Sequence, residues 1–243
     1  MLAVCLCAVQ IRGDTQTPTV SSNSGDPDRA GVELAQRVLA MVPRENSRMQ
    51  GVLKIRDAQG RMVEIPVTSE VQSAGKSWQV SYIAKPPSGP AEKLTIVHAP
   101  DRPNQYLYSK GPNVSQPQSL SGPQANIAFA GSDFWLSDLG LEFLHWPKQR
   151  IVKTEMRHSR WCNVLDSINP TPNTGYARVR SWLDKETGGP IVAEGYDKSD
   201  RLVKDFFIKH FSKVEGEWQL KEMEIRSPLQ RTRTRLEFDL EKN

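Results

Sequence analysis

One segment of sixteen residues, Gly131–Trp146, restricts the fold of this chain more than any other. It reads GSDFWLSDLGLEFLHW and holds two tryptophans, two phenylalanines and four leucines. Wound as a helix, it would leave only Asp138, Glu142 and His145 as a narrow polar edge. A helix that is apolar on most sides cannot lie on an ordinary surface, so we expect it to be covered or to line a hollow.

The bounds of this predicted helix follow from its flanking residues. Ser132 or Asp133 is suited to cap its start, Gly140 to split it into two short pieces, and Pro147 to stop it. The preceding residues, 111–125, are rich in Pro, Gln and Ser and predict a long loop.

Most of the remaining chain alternates apolar and polar residues with a period of two, which is typical of half-buried antiparallel strands. The last run is the clearest, because Thr234, Leu236 and Phe238 alternate with charged residues. Short turns between the runs predict one meandering sheet of about ten strands, which must curl or be covered. Before the strands, Asp26 and Pro27 begin a helix that Pro43 should end.

The first 27 residues differ in composition from the rest. Residues 1–9 read MLAVCLCAV and resemble the apolar core of a signal peptide, clipped before its basic segment; an apolar tail without a targeting role is the alternative. Residues 10–27 are rich in Thr, Ser, Pro, Gly and Asp, which predicts a disordered linker. The sequence thus divides into a truncated signal peptide (1–9), a linker (10–27) and one folded domain (28–243).

The overall charge and hydropathy exclude two classes of protein. The net charge is +4 and the pI is about 9.0, with basic residues spread along the chain, which argues against a nucleic-acid partner. The mean hydropathy is −0.53, and no apolar run approaches the roughly 18 residues that a membrane-spanning helix needs.

The sequence nominates neither a metal site nor an active site. None of the four histidines belongs to an H-x-x-x-H pair or a Cys/His cluster, so we predict no metal. The nucleophile elbow, the Walker loop and the dinucleotide fingerprint are missing from the sequence, so we predict no cofactor and no enzyme.

Three features allow both an ordinary and a functional interpretation. Asp133, Asp138 and Glu142 resemble paired catalytic acids, but a solvated helix edge is favoured. Cys162 alternates with Val164, which favours a small side chain buried in the core. The alternative is that Cys162 is a reactive nucleophile.

The third feature is a set of arginines on alternate positions of the last strand. They form either a solvated outer face or a docking patch for an acidic partner or an anionic lipid surface. The members of this set are Arg231, Arg233 and Arg235.

A series of short motifs in the second half of the chain points to a family. In chain order these motifs are Gly131–Phe134, Asp138-Leu139, Cys162–Asp166, Tyr176–Asp184, Glu194–Asp197, Gly216–Trp218 and Arg231–Thr234. In this order they resemble the bacterial outer-membrane lipoprotein-sorting proteins, the LolA-like family. The likeness is strongest over residues 131–240, extends back to the helix at Asp28, and contains no catalytic residue.

The resemblance implies a mainly β fold of the α+β class: one large, curved, half-open antiparallel sheet with helices covering its concave face. Between sheet and helices it implies an apolar cavity for acyl chains. The residues we expect on the helix side are Phe134, Trp135, Leu139, Phe143 and Trp146. Those we expect on the sheet side are Trp78, Val80, Tyr82, Ile96, Val179, Leu183, Phe206, Ile208 and Phe238. Ordinary core packing is the alternative for each of them.

The function implied by the resemblance is that of a periplasmic carrier. It would bind an acylated lipoprotein or a related lipid, take it from an inner-membrane transporter and deliver it to an outer-membrane acceptor. An envelope-stress sensor with the same fold is the alternative, and a hydrolase with a site around Cys162 or Asp133 is a third hypothesis.

Overall fold

The computed structural model describes residues 26–239, apart from 44, 76, 100–101, 112–115, 174 and 215–216. The predicted signal peptide and residues 10–25 of the predicted linker lie outside the described residues. Within them, thirteen antiparallel strands form one sheet. The strands are β1 (Ser47–Arg56), β2 (Met62–Ala74), β3 (Ser77–Ala84), β4 (Glu92–Ala99), β5 (Arg102–Lys110), β6 (Gln118–Leu120), β7 (Lys148–Arg157), β8 (Arg160–Ile168), β9 (Arg178–Asp184), β10 (Pro190–Tyr196), β11 (Leu202–Val214), β12 (Glu217–Ser227) and β13 (Thr232–Asp239).

The order of the strands shows how the chain is laid out. From edge to edge it is β6-β5-β4-β3-β2-β1-β13-β12-β11-β10-β9-β8-β7. The chain therefore starts at the centre, runs outward to β6, crosses to the opposite edge at β7 and returns to the centre, where β13 pairs with β1. The edge strands β6 and β7 do not pair with each other, so the sheet is open. The predicted fold class, a large open antiparallel sheet with few helices, is confirmed.

Residues 121–147 connect the two edges, and we call them the crossing segment. This segment contains the 3₁₀ helix Gly122–Ala125, the single-turn helix α2 (Leu136–Leu139) and the 3₁₀ helix Glu142–His145. The predicted long apolar helix is therefore reduced to two short pieces, with Gly140 between them as expected. The predicted cap is wrong: α2 is capped at Trp135, because the side chain of Asp138 accepts the Trp135 N–H at 2.8 Å. Left-handed backbone at Leu141, with φ of 48°, prevents the two pieces from joining.

The number of strands, predicted as about ten, was too low. One reason is that the predicted loop 111–125 contains β6, which has three residues and leaves no alternation to detect. The same region also contains the 3₁₀ helix Gly122–Ala125.

The first helix, α1 (Pro27–Leu39), covers the edge strand β7. Its predicted start is confirmed, since the Asp26 side chain accepts the Asp28 N–H at 3.0 Å, but the helix ends before the predicted Pro43. A Cβ at Gly31 would lie 2.6 Å from the backbone carbonyl of Gln149 in β7, so only glycine permits this close approach.

The main core lies between the sheet and the crossing segment. Its largest fully buried side chains include Tyr82 and Phe238 from the sheet and Phe129 and Phe134 from the crossing segment. Cys162 is fully buried in a second, smaller cluster, as predicted, and burial raises the pKa of its thiol. An activated nucleophile needs a lowered pKa, so the environment of Cys162 does not suit that role.

Candidate functional site

An apolar cavity of about 40 Å³ lies between the crossing segment and the sheet. Its apolar lining from the crossing segment consists of Phe134, Leu139, Leu141 and Phe143. Its apolar lining from the sheet consists of Val179, Ala193, Phe206, Met223 and Ile225. Asp138, Tyr176 and Lys204 contribute the polar part of the lining.

Five of the residues predicted from the sequence lie at this cavity: Phe134, Leu139, Phe143, Val179 and Phe206. Six more of the predicted residues are buried elsewhere in the core: Trp78, Val80, Tyr82, Ile96, Leu183 and Phe238. Ile208 is half-buried and packs against that core. Trp135 and Trp146 line two neighbouring cavities instead. Sequence reasoning missed Met223 and Ile225, although their alternation with Glu222 and Glu224 on β12 was a usable signal.

The cavity is small for a hydrocarbon chain. A water needs roughly 10–15 Å³ of such space, and an apolar cavity of about 150 Å³ binds benzene. At about 40 Å³, the cavity has room for a few waters. A larger guest therefore requires the lining to rearrange, and the contacts that hold the crossing segment to the sheet determine how readily that segment can move.

Asp133 anchors the crossing segment to the central strands. Its carboxylate is buried and accepts hydrogen bonds from the hydroxyls of Ser227 at 2.7 Å, Thr234 at 2.8 Å and Thr232. The Asp133 backbone N–H also donates to Thr234 Oγ1 at 2.9 Å. The hydrogen bonds from these donors compensate the carboxylate for the water molecules that it loses on burial, so its charge can be kept in the interior.

A second anchor forms around Asp138, beside the apolar cavity. Its Oδ1 accepts from the hydroxyl of Tyr176 at 2.9 Å, and its Oδ2 lies 3.1 Å from Lys204 Nζ. The ammonium of Lys204 also lies 3.5 Å from the ring centroid of Trp135. Burial lowers the pKa of Lys204, whereas Asp138 raises it; burial and Asp138 together hold the pKa of Tyr176 well above its ordinary value.

A third anchor joins Glu142 to strand β5. Glu142 Oε2 accepts from the hydroxyl of Tyr106 at 2.8 Å and from Asn104 Nδ2 at 3.3 Å. Asn104 Nδ2 also donates to the carbonyl oxygen of Gly140 at 2.7 Å. Burial raises the pKa of Glu142, and the hydrogen bonds from Tyr106 and Asn104 oppose that effect.

The interpretation of Asp138 and Glu142 as a solvated edge was therefore wrong. It assumed a regular helix with one side toward water, whereas the segment is irregular and turns its carboxylates toward the sheet. Their side chains bind hydroxyl, amide and ammonium donors of the sheet and of its loops, and these donors lie far away in the sequence.

Glu92 and Gln149 hold two further parts of the crossing segment. Glu92 accepts the backbone N–H of Ala130 at 2.7 Å. The amide of Gln149 donates to the carbonyl oxygens of Phe143 at 2.9 Å and Trp146 at 2.8 Å. Irregular backbone can be buried here because side chains satisfy its polar groups.

His98 lies in the same polar region, and its burial should make the stability of the protein depend on pH. Its Nδ1 lies 2.6 Å from Asn104 Oδ1, its ring stacks on Trp78 at 4.0 Å, and burial lowers its pKa to about 3. The unfolded chain binds a proton near the ordinary pKa of 6.5. The free energy of unfolding should therefore fall as the pH drops below about 6.5, by about 2 kcal/mol at pH 5 for this group.

Urea unfolding of the wild type and of the His98→Gln variant at pH 7.5 and at pH 5 measures this contribution. The His98→Gln variant should lose less stability on acidification than the wild type does. His145, whose pKa burial lowers to about 4, adds to the wild-type slope and remains in the variant. Exposed His210 serves as the control site, through His210→Gln. An equal loss of unfolding free energy between pH 7.5 and pH 5 in the wild type and in His98→Gln would contradict the lowered pKa of His98.

The arginines of the last strand lie in different surroundings. Arg235 lies 2.5 Å from the buried carboxylate of Glu224, so it is already paired. Arg231 is exposed in the turn before β13 and Arg233 is half-buried; neither has an ion pair with another described residue.

Two findings concern other classes of site. Within the described ranges, no three His, Cys, Asp or Glu side chains are grouped so that they could hold a metal ion. None of the helices in that part of the chain is long and apolar enough to span a membrane.

Comparison with solved structures identifies the fold. A DUF1329 family protein from Desulfovibrio piger ATCC 29098 superposes with a TM-score of 0.70 at 21% identity, over 88% of this chain and 92% of that chain. A domain named for outer membrane lipoprotein sorting, from Vibrio parahaemolyticus, gives 0.70 at 19% identity, over 87% and 91%. A LolA superfamily protein from Nitrosomonas europaea gives 0.53 at 18% identity, over 89% and 93%.

Sequence comparisons add two results. No curated protein matches the chain. A family model with the description "uncharacterized protein" matches residues 75–241, which is more than half of the chain. The chain therefore belongs to this family, and its fold is the LolA-like open sheet.

Proposed function

We propose that this protein binds the hydrocarbon chain of a lipid or an acylated lipoprotein between the sheet and the crossing segment. The observation that carries the proposal is the cavity itself, which large apolar side chains line from both sides, such as Phe134 and Phe143 opposite Phe206 and Ile225. We further propose that the role is binding and transfer rather than catalysis, since the three carboxylates of the crossing segment serve as anchors to the sheet.

The free energy gained by burying an acyl chain is similar in size to the free energy lost when the anchors of the crossing segment break. Each methylene removed from water contributes about 0.8 kcal/mol, so one acyl chain gains roughly 10 kcal/mol before ordering costs. Each anchoring hydrogen bond contributes about 0.5–1.5 kcal/mol net, and more where a charged group takes part. A chain entering the cavity can therefore offset the loss of the anchors, and a competing apolar site can release it again.

The proposed setting is the periplasm. There the protein would receive an acylated lipoprotein or a related lipid from an inner-membrane transporter and pass it to an outer-membrane acceptor. The sequence motifs and the LolA-like fold support this setting, together with the names of the Vibrio and Nitrosomonas proteins.

A reversible lock on the crossing segment tests the proposal. Asp133 and Thr234 are in direct contact, so Asp133→Cys combined with Thr234→Cys should allow a disulfide that ties the segment to β13. Cys5 and Cys7 are replaced by Ser in the same chain, and buried Cys162 is kept. The oxidised protein should bind a fluorescent fatty acid at least tenfold more weakly than the reduced protein, because the chain must displace the segment.

The single variant Asp133→Cys is the matched control. It loses the anchor but cannot form the lock, so its binding should be insensitive to oxidation and at least as strong as that of the wild type. Equal binding by the oxidised and reduced double variant would place the ligand elsewhere. Failure of the wild type to bind any acyl probe would overturn the proposed function.

A further inference from the structure

Three arginines line up at one end of the sheet. Arg56 on β1 lies opposite Arg233 on β13, which in turn lies opposite Arg226 on β12. Like charges directly opposite each other destabilise a sheet unless a counter-charge is present. Arg226 is paired with Glu224 at 2.6 Å, whereas Arg56 and Arg233 have no ion pair with another described residue.

The next row toward the middle of the same strands is balanced by contrast. Lys54 lies 2.6 Å from Glu237, and Arg235 lies 2.5 Å from Glu224, which it shares with Arg226, and 3.6 Å from Glu222. The excess of positive charge is therefore local to the end of the sheet. Exposed Arg231, in the adjoining turn 228–231, increases it.

Exposed apolar side chains lie at the same end. Met62 is 58% exposed and lies opposite Arg56, and Val63 is 50% exposed and lies opposite Ile55. Leu229, at the tip of the turn before β13, is 60% exposed. Because successive residues of a strand point to opposite faces, Met62 shares the face of Arg56, whereas Val63 shares the face of Ile55. Single exposed apolar residues are common, but three around one end of a sheet that also carries an unbalanced arginine row form a mixed apolar and cationic edge. We call Arg56, Arg231, Arg233, Met62, Val63 and Leu229 the arginine rim.

Leu229 of the arginine rim also lines a cavity of about 400 Å³ that leads toward the crossing segment. Ile55, Leu229 and Gln230 line this cavity on the side of the rim, and Trp135 lines it on the side of the crossing segment. Lys204 lines both this cavity and the apolar cavity of about 40 Å³, so the two adjoin at that residue.

We propose that the arginine rim docks on an anionic lipid bilayer, with the larger cavity facing the membrane; this inference rests on the lipid-binding function proposed above. Guanidinium groups attract anionic headgroups, and exposed Met and Leu side chains enter the boundary between headgroups and acyl chains. An acidic protein surface would satisfy the same arginines, but it would not supply a lipid to the adjoining cavity, so the lipid-binding function proposed above favours the bilayer. The orientation brings the larger cavity, which adjoins the proposed lipid site at Lys204, to the source of the ligand.

Vesicle flotation tests this proposal. The full chain is mixed with vesicles of phosphatidylcholine, with and without phosphatidylglycerol, at low and high salt. The wild type should bind only the anionic vesicles and should be released by salt. Each basic residue near such a surface changes binding about fivefold, so the combined Arg56→Gln, Arg231→Gln and Arg233→Gln variant should bind of the order of 100-fold more weakly.

Matched controls separate the arginine rim from general charge and apolar exposure. Arg37→Gln, Lys148→Gln and Arg150→Gln remove the same charge around α1 and β7, and vesicle binding should fall far less. Met62→Ser with Leu229→Ser should also weaken binding, whereas Met156→Ser with Trp161→Ser should not. The latter pair is a fair comparison, because Met156 is 56% and Trp161 57% exposed, at the turn between β7 and β8.

Three outcomes would overturn the docking proposal: no binding of the wild type to anionic vesicles, equal loss in the two charge variants, or rim-dependent retention of an acidic protein without vesicle binding. Binding of a fluorescent fatty acid in vesicle-free solution is measured on the same variants. The rim variants should keep that binding, so a failure of docking can be distinguished from a failure of the lipid site.

Discussion

Replacing Asp138 with alanine should lower the free energy of unfolding by about 3–5 kcal/mol, the cost of leaving a buried charge without its partner. The Lys204 side chain is only 7% exposed and has its ammonium 3.1 Å from Asp138. The same substitution leaves the hydroxyl of Tyr176 without an acceptor and removes the cap of α2 at Trp135. Because these losses fall on one segment, the crossing segment should loosen before the sheet unfolds.

Urea unfolding of a double-mutant cycle measures this effect. In Asp138→Ala combined with Lys204→Met the unpaired charge is gone, so this variant should regain a large part of the loss. Tyr176→Phe removes one hydrogen bond only and should cost about 0.5–1.5 kcal/mol. An Asp138→Ala variant that loses no more stability than Tyr176→Phe would show that the ion pair does not hold the segment.

Phe134→Ala should reduce stability by about 3–5 kcal/mol and yet strengthen the binding of an acyl chain. Phe134 is 1% exposed and lines the apolar cavity. Its truncation widens the space that a hydrocarbon chain needs, so fewer side chains must be displaced on binding. We expect about tenfold tighter binding of a fluorescent fatty acid, roughly the effect of burying two more methylene groups.

Phe129→Ala is the matched control for this substitution. Phe129 is also 1% exposed and also lies in the crossing segment, but it packs beside Tyr82, with ring centroids 6.3 Å apart, and does not line the cavity. It should cost a similar amount of stability without any gain in affinity. Equal affinities of the two variants would mean that general loosening, and not the volume at Phe134, governs binding.

The strands could be predicted because their signal is local. Thr234, Leu236 and Phe238 alternate with charged residues on β13, and all three are buried in the sheet as the pattern indicated. The start of α1 was equally local, since Asp26 and Pro27 cap a helix through their own backbone and side chains. In both cases the residues that decide the structure are near neighbours in the sequence.

The crossing segment could not be predicted in the same way. Asp133 meets Ser227, Thr232 and Thr234, which lie 94, 99 and 101 residues later in the chain. No local pattern in the sequence reveals such partners. The sequence of the segment therefore predicted a capped helix with a solvent-exposed polar edge. The cavity lining was only partly predictable, because alternation identifies the buried face of a strand but not which buried side chains border empty space.

The pairing of β1 with β13 at the centre of the sheet has a consequence for how the molecule is made. During synthesis β1 and β12 each wait with a bare row of amide and carbonyl groups until the strand that separates them emerges. Pairing two strands that are so distant in sequence is a slow step of folding. Until it occurs, the unpaired edges of β1 and β12 are exposed and prone to aggregation. Thr232 and Thr234, the partners of Asp133, lie on β13, so the Asp133 anchor forms only once nearly the whole folded part of the chain has been made.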